Sequence, residues 1–247
     1  MRAAAFASRN TKEILRDPIT LSFGIGFPLV LMILLSAINS SIPEEANMTM
    51  FRIDRLAPGI SVFGLSFLSL FSSMLIAKDR STSFMLRLFT SPIKPAEFII
   101  GYLTPIIPMA MAQSAICYLF ALIYGLGFSV NLLAAVIVNL PVALFFIALG
   151  LLLGSVLNEK AVGGICGALV TNLSAWFSNI WFDTSMVGGA FSKIADVLPF
   201  SHAVAAARAA ASGDFGAIFP DLWWVIGYAA VCLAAAITVF SVKLKKN

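Results

Sequence analysis

Charge is excluded from long stretches of this chain and crowded into short ones. Residues 18–43, 56–77, 98–158, 161–182 and 222–242 contain no Asp, Glu, Lys or Arg. An ionised side chain is expensive inside hydrocarbon, so runs of this kind are what a bilayer demands. Four of the runs are 21 to 26 residues long, which suits one helix crossing about 30 Å of hydrocarbon at about 1.5 Å per residue. The remaining run, 61 residues, would extend about 90 Å as a single helix and must fold back. Its turn is legible at "GLGFSVN", Gly125 to Asn131, where glycines, a serine and an asparagine interrupt the apolar pattern. Six spans are predicted, at 19–39, 58–77, 98–124, 132–157, 161–182 and 222–242. The expected fold class is an all-α integral membrane protein, with residues 1–247 as a single transmembrane domain.

Composition excludes a soluble domain: 60% of residues are hydrophobic, 11% are charged and the mean hydropathy is +0.96, where ordinary soluble chains are about a quarter charged. The net charge of +4 matters through its distribution, because cytoplasmic loops collect Lys and Arg. With both termini inside, the inner segments hold Arg2, Arg9, Lys12, Arg16, Lys78, Arg80, Arg87, Lys94, Lys160, Lys243, Lys245 and Lys246, which is 12 of 16 basic residues. The outer segments hold Arg52, Arg55, Lys193 and Arg208 against Glu44, Glu45, Asp54, Asp183, Asp196, Asp214 and Asp221. The expected setting is therefore a cytoplasmic membrane, with the lipid bilayer and not nucleic acid as partner. The first apolar run exceeds a signal-peptide core and lacks a small-x-small cleavage site, so it is read as retained. Cys117, Cys166 and Cys232 sit inside apolar runs without CxxC or His-rich spacing and are read as packing residues.

Three segments outside the spans carry pattern. In residues 1–17, Arg2, Arg9 and Arg16 recur every seventh position with Ala3, Phe6, Ala7 and Ile14 on another face. Such a helix can lie along the inner membrane surface, as an elbow aligned with a cytoplasmic partner or as a plain anchor; Asp17-Pro18 ends it. The second segment, "KDRSTSFMLRLFTSP" (78–92), offers Ser81 as a helix cap. Phe84, Met85, Leu88 and Phe89 follow as a stripe, Arg80 and Arg87 fall on one side, and Ser91-Pro92 makes the stop. It reads as a docking helix, or as a positively charged anchor whose stripe faces lipid. In 183–220, "MVGGAFSKIADVLPF" and "SHAVAAARAAASGDF" are each shorter than a span and break at Leu198-Pro199-Phe200. They predict a re-entrant hairpin in the outer leaflet or an amphipathic pair lying on the surface.

Taken together, these segments resemble the permease subunits of ABC-2 type exporters, nearest the multidrug-resistance-like branch. The resemblance rests on "SRNTKEILRDP" before the first span, "APG" opening the second, and the pattern Asp-Arg-x-x-Gly-Phe-x-x-Arg-Leu-x-x-Ser-Pro after it. Asp79, Arg80, Phe84, Arg87, Leu88, Ser91 and Pro92 fit that pattern, while Ser83 replaces its glycine and makes the helix start less sharply bent. Leu198, Pro199, His202 and Arg208 are similar to the family's signature before the last span. The resemblance implies that residues 78–97 hold a coupling helix, with Asp79, Arg80, Phe84, Met85, Arg87, Leu88 and Phe89 seated in a groove of a separate ABC ATPase subunit. It also implies a second permease copy, identical or closely homologous, and a bacterial cytoplasmic membrane. ATP and Mg would be bound by the ATPase partner; no cofactor is expected in this chain, which has no G-x-x-x-x-G-K-[ST] loop.

Chemistry of its own is not expected from the chain. His202 is the one histidine, read as packing or capping, and there is no H-E-x-x-H motif and no nucleophile signature. Spans without mid-span carboxylates argue against an ion-coupled carrier. The second span instead carries Phe63, Phe67, Leu70, Phe71 and Met74 with serines at 66, 69, 72 and 73, and the fifth carries Asn172, Trp176, Asn179 and Trp181 among Thr171, Ser174 and Ser178. Phe67, Phe71, Asn172, Trp176 and Asn179 are candidates to line a substrate path between two bundles. Equally, the aromatic stripe can face lipid while Ser and Asn bond neighbouring helices. Gly150-x-x-x-Gly154 and Gly163-x-x-x-Gly167 predict close packing of the fourth span on the fifth, and Pro105, Pro108 and Pro141 predict kinks. The expected function is export of a small hydrophobic or amphipathic compound. Glycolipid or polysaccharide export by the same architecture, or a non-pumping immunity or sequestering factor, are the alternatives.

Overall fold

Most of each charge-free run is helix in the computed structural model, which describes residues 2–42, 49–82 and 95–246, with the backbone alone at 2, 3, 95 and 243–246. Helix α1 is Arg2–Leu15. Asp17 then starts α2, Pro18–Ser41, its carboxylate accepting from the Ile19 amide at 3.0 Å and from Thr20 Oγ1 at 2.7 Å. Pro18 fills the first helical position, where no amide hydrogen is needed. A π-helical turn, Ser22–Gly26, interrupts α2. Next come α3, Ile53–Ser81, α4, Pro95–Ile123, and α5, Asn131–Val156. The turn expected between α4 and α5 is present, with Gly125 at φ 91°, a value glycine reaches without steric cost.

Residues 159–176 form α6, capped by Asn158 and containing a π-helical segment, Ile165–Val170. The short helices α7, Thr184–Val187, α8, Gly189–Val197, and α9, Pro199–Ser212, lead to the long α10, Phe215–Lys246. Among the described residues α2, α3, α4, α5 and α10 are long and apolar enough to cross a membrane. Two expected boundaries are corrected. The last span begins at Phe215 instead of residue 222. The fifth predicted span is shorter than expected, because α6 ends at Trp176 and the chain turns at Asn179. That residue adopts φ 58° and accepts from the Thr184 amide at 2.8 Å through its side-chain oxygen; asparagine tolerates this left-handed geometry better than most residues.

The axis of the bundle is α3, whose membrane-length stretch is 89% buried beneath α2, α4, α5, α6 and α9. Of its aromatic stripe Phe63, Phe67 and Phe71 are buried and do not face lipid, while Met74 stays 41% exposed. Its serines mostly bond their own helix: Ser66, Ser69 and Ser73 donate to the carbonyls of Phe63, Ser66 and Leu70. Ser72 donates to Leu68 O at 2.7 Å and also reaches Ile147 O on α5 at 3.2 Å. The packing expected of Gly150 and Gly154 is corrected as well. A Cβ at Gly150 would strike the Ser69 carbonyl and Ser72 Oγ, and one at Gly154 the Ser73 carbonyl and Ile76, so these glycines bring α5 against α3 and not against α6. Gly167 packs near Leu70 of α3, while Gly163 faces open space. The three cysteines are free, Cys117 and Cys166 buried and Cys232 half-buried.

Leu198 breaks the helical hairpin, and α9 buries Phe200, Ala203, Val204, Ala206, Ala207 and Ala210 among α3, α5 and α10. The carbonyls left over at the end of α8 are all engaged. The Leu198 amide donates to Ile194 O at 3.0 Å, Ser201 Oγ donates to Ala195 O at 2.7 Å, His202 Nε2 lies 2.8 Å from Asp196 O, and Trp224 Nε1 and Tyr228 OH both donate to Val197 O. His202 Nδ1 lies 2.6 Å from Asp221 Oδ1, so the single histidine fastens the hairpin to α10.

Candidate functional site

Asp79 sits in the last turn of α3 and is only 1% exposed. A carboxylate so enclosed is tolerated only when charged or polar partners surround it. Arg9 supplies them from α1 in a two-pronged contact, Nη1 to Oδ2 and Nη2 to Oδ1, both at 2.7 Å. The hydroxyl of Tyr102 on α4 donates to Oδ2 at 2.7 Å. Arg9 also meets Glu13 at 2.9 Å, and Lys78 Nζ donates to Glu13 at 2.7 Å. The bond to Asp79 raises the pKa of the Arg9 guanidinium, against the opposing effect of burial.

Apolar packing holds α1 in the same place. Phe6 lies against Gly101, where a Cβ would collide with its ring, stacked on Phe98 at 5.4 Å and edge-on to Tyr102 at 4.9 Å. Phe98 stacks in turn on Phe240 of α10 at 3.8 Å. Asn10, fully buried, donates to Gly101 O at 3.1 Å. The buried residues Phe6 and Asn10 of α1 are thus packed on α4.

Arg80 faces a different neighbour. Its Nη1 donates to Gly154 O at 2.7 Å and to Leu157 O at 3.0 Å, satisfying carbonyls that the end of α5 leaves open. Asp79 and Arg80 therefore both point into the bundle and bind α1, α4 and α5 to the root of the 83–94 segment. Ser81 is the last residue of α3, and its hydroxyl donates back to Lys78 O at 2.8 Å; the helix it was expected to cap lies outside the described residues. Phe84, Met85, Arg87, Leu88 and Phe89 lie outside the described residues.

The candidate path residues divide into three environments. Phe67 and Phe71 are each 8% exposed, Phe67 within an aromatic group with Phe23, Phe27 and Phe63. Asn172 and Trp176 are exposed on the outer face of α6, and Asn179 shapes the turn after it. The structure thus brings Phe67 together with Phe63, and Asn172 together with Trp176, but not the two pairs with each other. A polar node escaped the sequence reading: Asn139 Nδ2 of α5 donates to Ser61 Oγ of α3 at 2.8 Å and to Ser114 Oγ of α4 at 2.7 Å. The isolated amide in an apolar run was its available signal.

A helical bundle with membrane-length helices and an N-terminal amphipathic helix locked to the end of one of them defines a multi-pass membrane protein. The family model described as ABC-2 type transporter matches residues 2–211, and the chain belongs to that family. A search of curated proteins found no significant match. As a membrane domain of this family the chain is the permease subunit of an ABC transporter, which works with an ATPase partner.

Proposed function

We propose that the protein exports a small hydrophobic or amphipathic compound across a cytoplasmic membrane, as one of two permease copies driven by two ATPase subunits. Both termini and residues 78–97 lie on the cytoplasmic side in this reading, in keeping with the distribution of basic residues. The observation that carries it is the uncovered face of α6. Gly164, Ala168, Asn172 and Trp176 recur at every fourth position and are all exposed, Trp176 by 53%, and both Gly163 and Gly164 face open space. Small residues at this spacing allow helices to approach closely in lipid, and an amide among them gains from a partner more than from hydrocarbon. A second copy would cover this face and leave Asn172 and Trp176 beside the path between the two bundles.

Coupling follows from the clamp around Asp79. A push received by the segment after α3 would reach α1, α4 and α5 through Asp79, Arg80 and Tyr102 without being lost in a loose joint. Phe84→Ala/Phe89→Ala removes the apolar stripe while keeping the basic charge. That variant should insert and dimerise yet lose ATPase association or solute-stimulated hydrolysis. Normal co-purification with normal stimulation would rule out docking through this segment.

A further inference from the structure

A cleft of about 860 Å³ opens between α1, the start of α2, the last turns of α3 and the start of α6. Its walls differ in kind. From α1 come Ser8 and Lys12, and from the turn that follows it Arg16, three exposed side chains at four-residue steps. Phe71, Met74 and Leu75 of α3 form an apolar floor, with Met74 41% exposed. Glu159, exposed in the first turn of α6, contributes a carboxylate.

Most other charges around the cleft are already committed. Arg9 is bound to Asp79 and Glu13, Lys78 to Glu13, and Asp17 to the Ile19 amide and Thr20 Oγ1. Lys12, Arg16 and Glu159 have no ion pair among the described residues. The lining charges nearly cancel, with Arg9, Lys12, Arg16 and Lys78 set against Glu13, Asp17 and Glu159. A polyanion therefore gains little here. A headgroup with one phosphate and one amine, carried on an apolar chain, matches all three kinds of wall, and the volume falls within the range of ordinary small-ligand sites.

We propose that this cleft binds a phospholipid of the ethanolamine class, its phosphate on Lys12 and Arg16, its amine toward Glu159 and its acyl chain over Phe71, Met74 and Leu75. Such a lipid would wedge α1 against α3 beside the Arg9–Asp79 clamp. The site requires α1 to lie at a membrane surface but is indifferent to which surface, so it stands apart from the proposed orientation and from the proposed cargo.

Native mass spectrometry of the purified full-length chain, loaded separately with phosphatidylethanolamine, phosphatidylcholine and phosphatidylglycerol, tests it. Phosphatidylethanolamine should be retained about tenfold more tightly than phosphatidylcholine, whose methylated amine has no hydrogen to donate. Glu159→Gln should erase that preference while phospholipid still binds. Lys12→Glu/Arg16→Glu should remove the bound lipid, and so should Met74→Trp, which fills the floor and leaves every charge in place. Far-UV circular dichroism and gel filtration identify any variant that has simply misfolded. Equal retention of the three lipids overturns the proposal. So does a preference for phosphatidylglycerol, which would reduce the cleft to plain attraction for anions, and so does wild-type retention in folded Met74→Trp.

Discussion

Helices α3 and α6 are built from similar material, small and hydroxyl-bearing residues interspersed with large apolar ones, yet they occupy opposite situations. Five helices enclose α3, and its contact with α5 is so close that no Cβ fits at Gly150 or Gly154. α6 lies on α3 along one side and on the other exposes Gly163, Gly164, Ala168, Leu169, Asn172 and Trp176. In a chain whose solvent is lipid, apolarity alone does not separate a core face from an outer one, since the bilayer accepts both. Steric fit separates them. A glycine that touches backbone belongs to the fold of one chain, whereas a glycine that faces open space leaves room for the second copy proposed above.

The largest effect that can break this contrast is expected where α3 is anchored. Asp79→Ala leaves the Arg9 guanidinium without its main partner and should cost about 3 kcal/mol. That is the low end for a broken buried pair, because Arg9 remains 37% exposed and can turn to water. Arg9→Ala should cost more, since it strands a carboxylate that is almost fully buried. The double variant should cost less than the sum of the two, as coupled partners do. Denaturation in mild detergent measures all three. Strict additivity would mean that the clamp contributes no coupling and that α1 is held by its other contacts, Phe6, Asn10 and the Glu13–Lys78 pair.

A smaller but more direct contrast comes from the glycines. Gly154→Val drives a side chain into the Ser73 carbonyl and Ile76 and should destabilise the monomer by about 1–3 kcal/mol. Gly164→Val meets nothing within the chain and should leave monomer stability within about 0.5 kcal/mol of the parent, as surface changes usually do. It should nevertheless weaken self-association measured by crosslinking in membranes. If Gly164→Val unfolds the monomer, or leaves self-association untouched, α6 is not the waiting face described here.

Much of the fold was legible because desolvation of charge leaves a direct trace in sequence. The positions of α2, α3, α4 and α5 follow from charge-free runs and one glycine-rich turn. Family membership was legible through local patterns around residues 8–18, 78–92 and 198–208. Partnerships were harder to read. Arg9 and Asp79 are 70 residues apart, and nothing local marks them as a pair. Spacing made Gly150 and Gly154 a contact face but could not say that α3, two spans earlier, fills it. Charge counting also placed Asp79 and Arg80 in a cytoplasmic loop with the docking stripe, although α3 continues to Ser81 and turns both side chains inward. The helix outlasted its apolar run because Arg9 and the end of α5 supply the partners those charges need.

The smallest expected effect sharpens the contrast at another sparsely covered helix. The membrane-length stretch of α2 is only 22% buried, so its first turn depends on local bonds more than on packing. Asp17 provides them, bonding the Ile19 amide and Thr20 Oγ1. Burial alone would raise its pKa, but the bonds from Thr20 and Ile19 outweigh that and hold it below the ordinary 3.8. A carboxylate depressed in the folded state adds stability that is present above its unfolded pKa and lost as pH falls through the folded value. Asp17→Ala should therefore cost about 1 kcal/mol near neutral pH, typical of a lost helix cap, and the cost should vanish in acid as the parent's own cap is protonated. Amide exchange at Ile19, Thr20 and Leu21 reads this directly: faster in the variant at neutral pH, with the difference from the parent closing below about pH 4 once intrinsic rates are divided out. Equal protection in both proteins at neutral pH would mean that α2 is held by contacts along its length, and that sparse burial does not make a membrane helix depend on its cap.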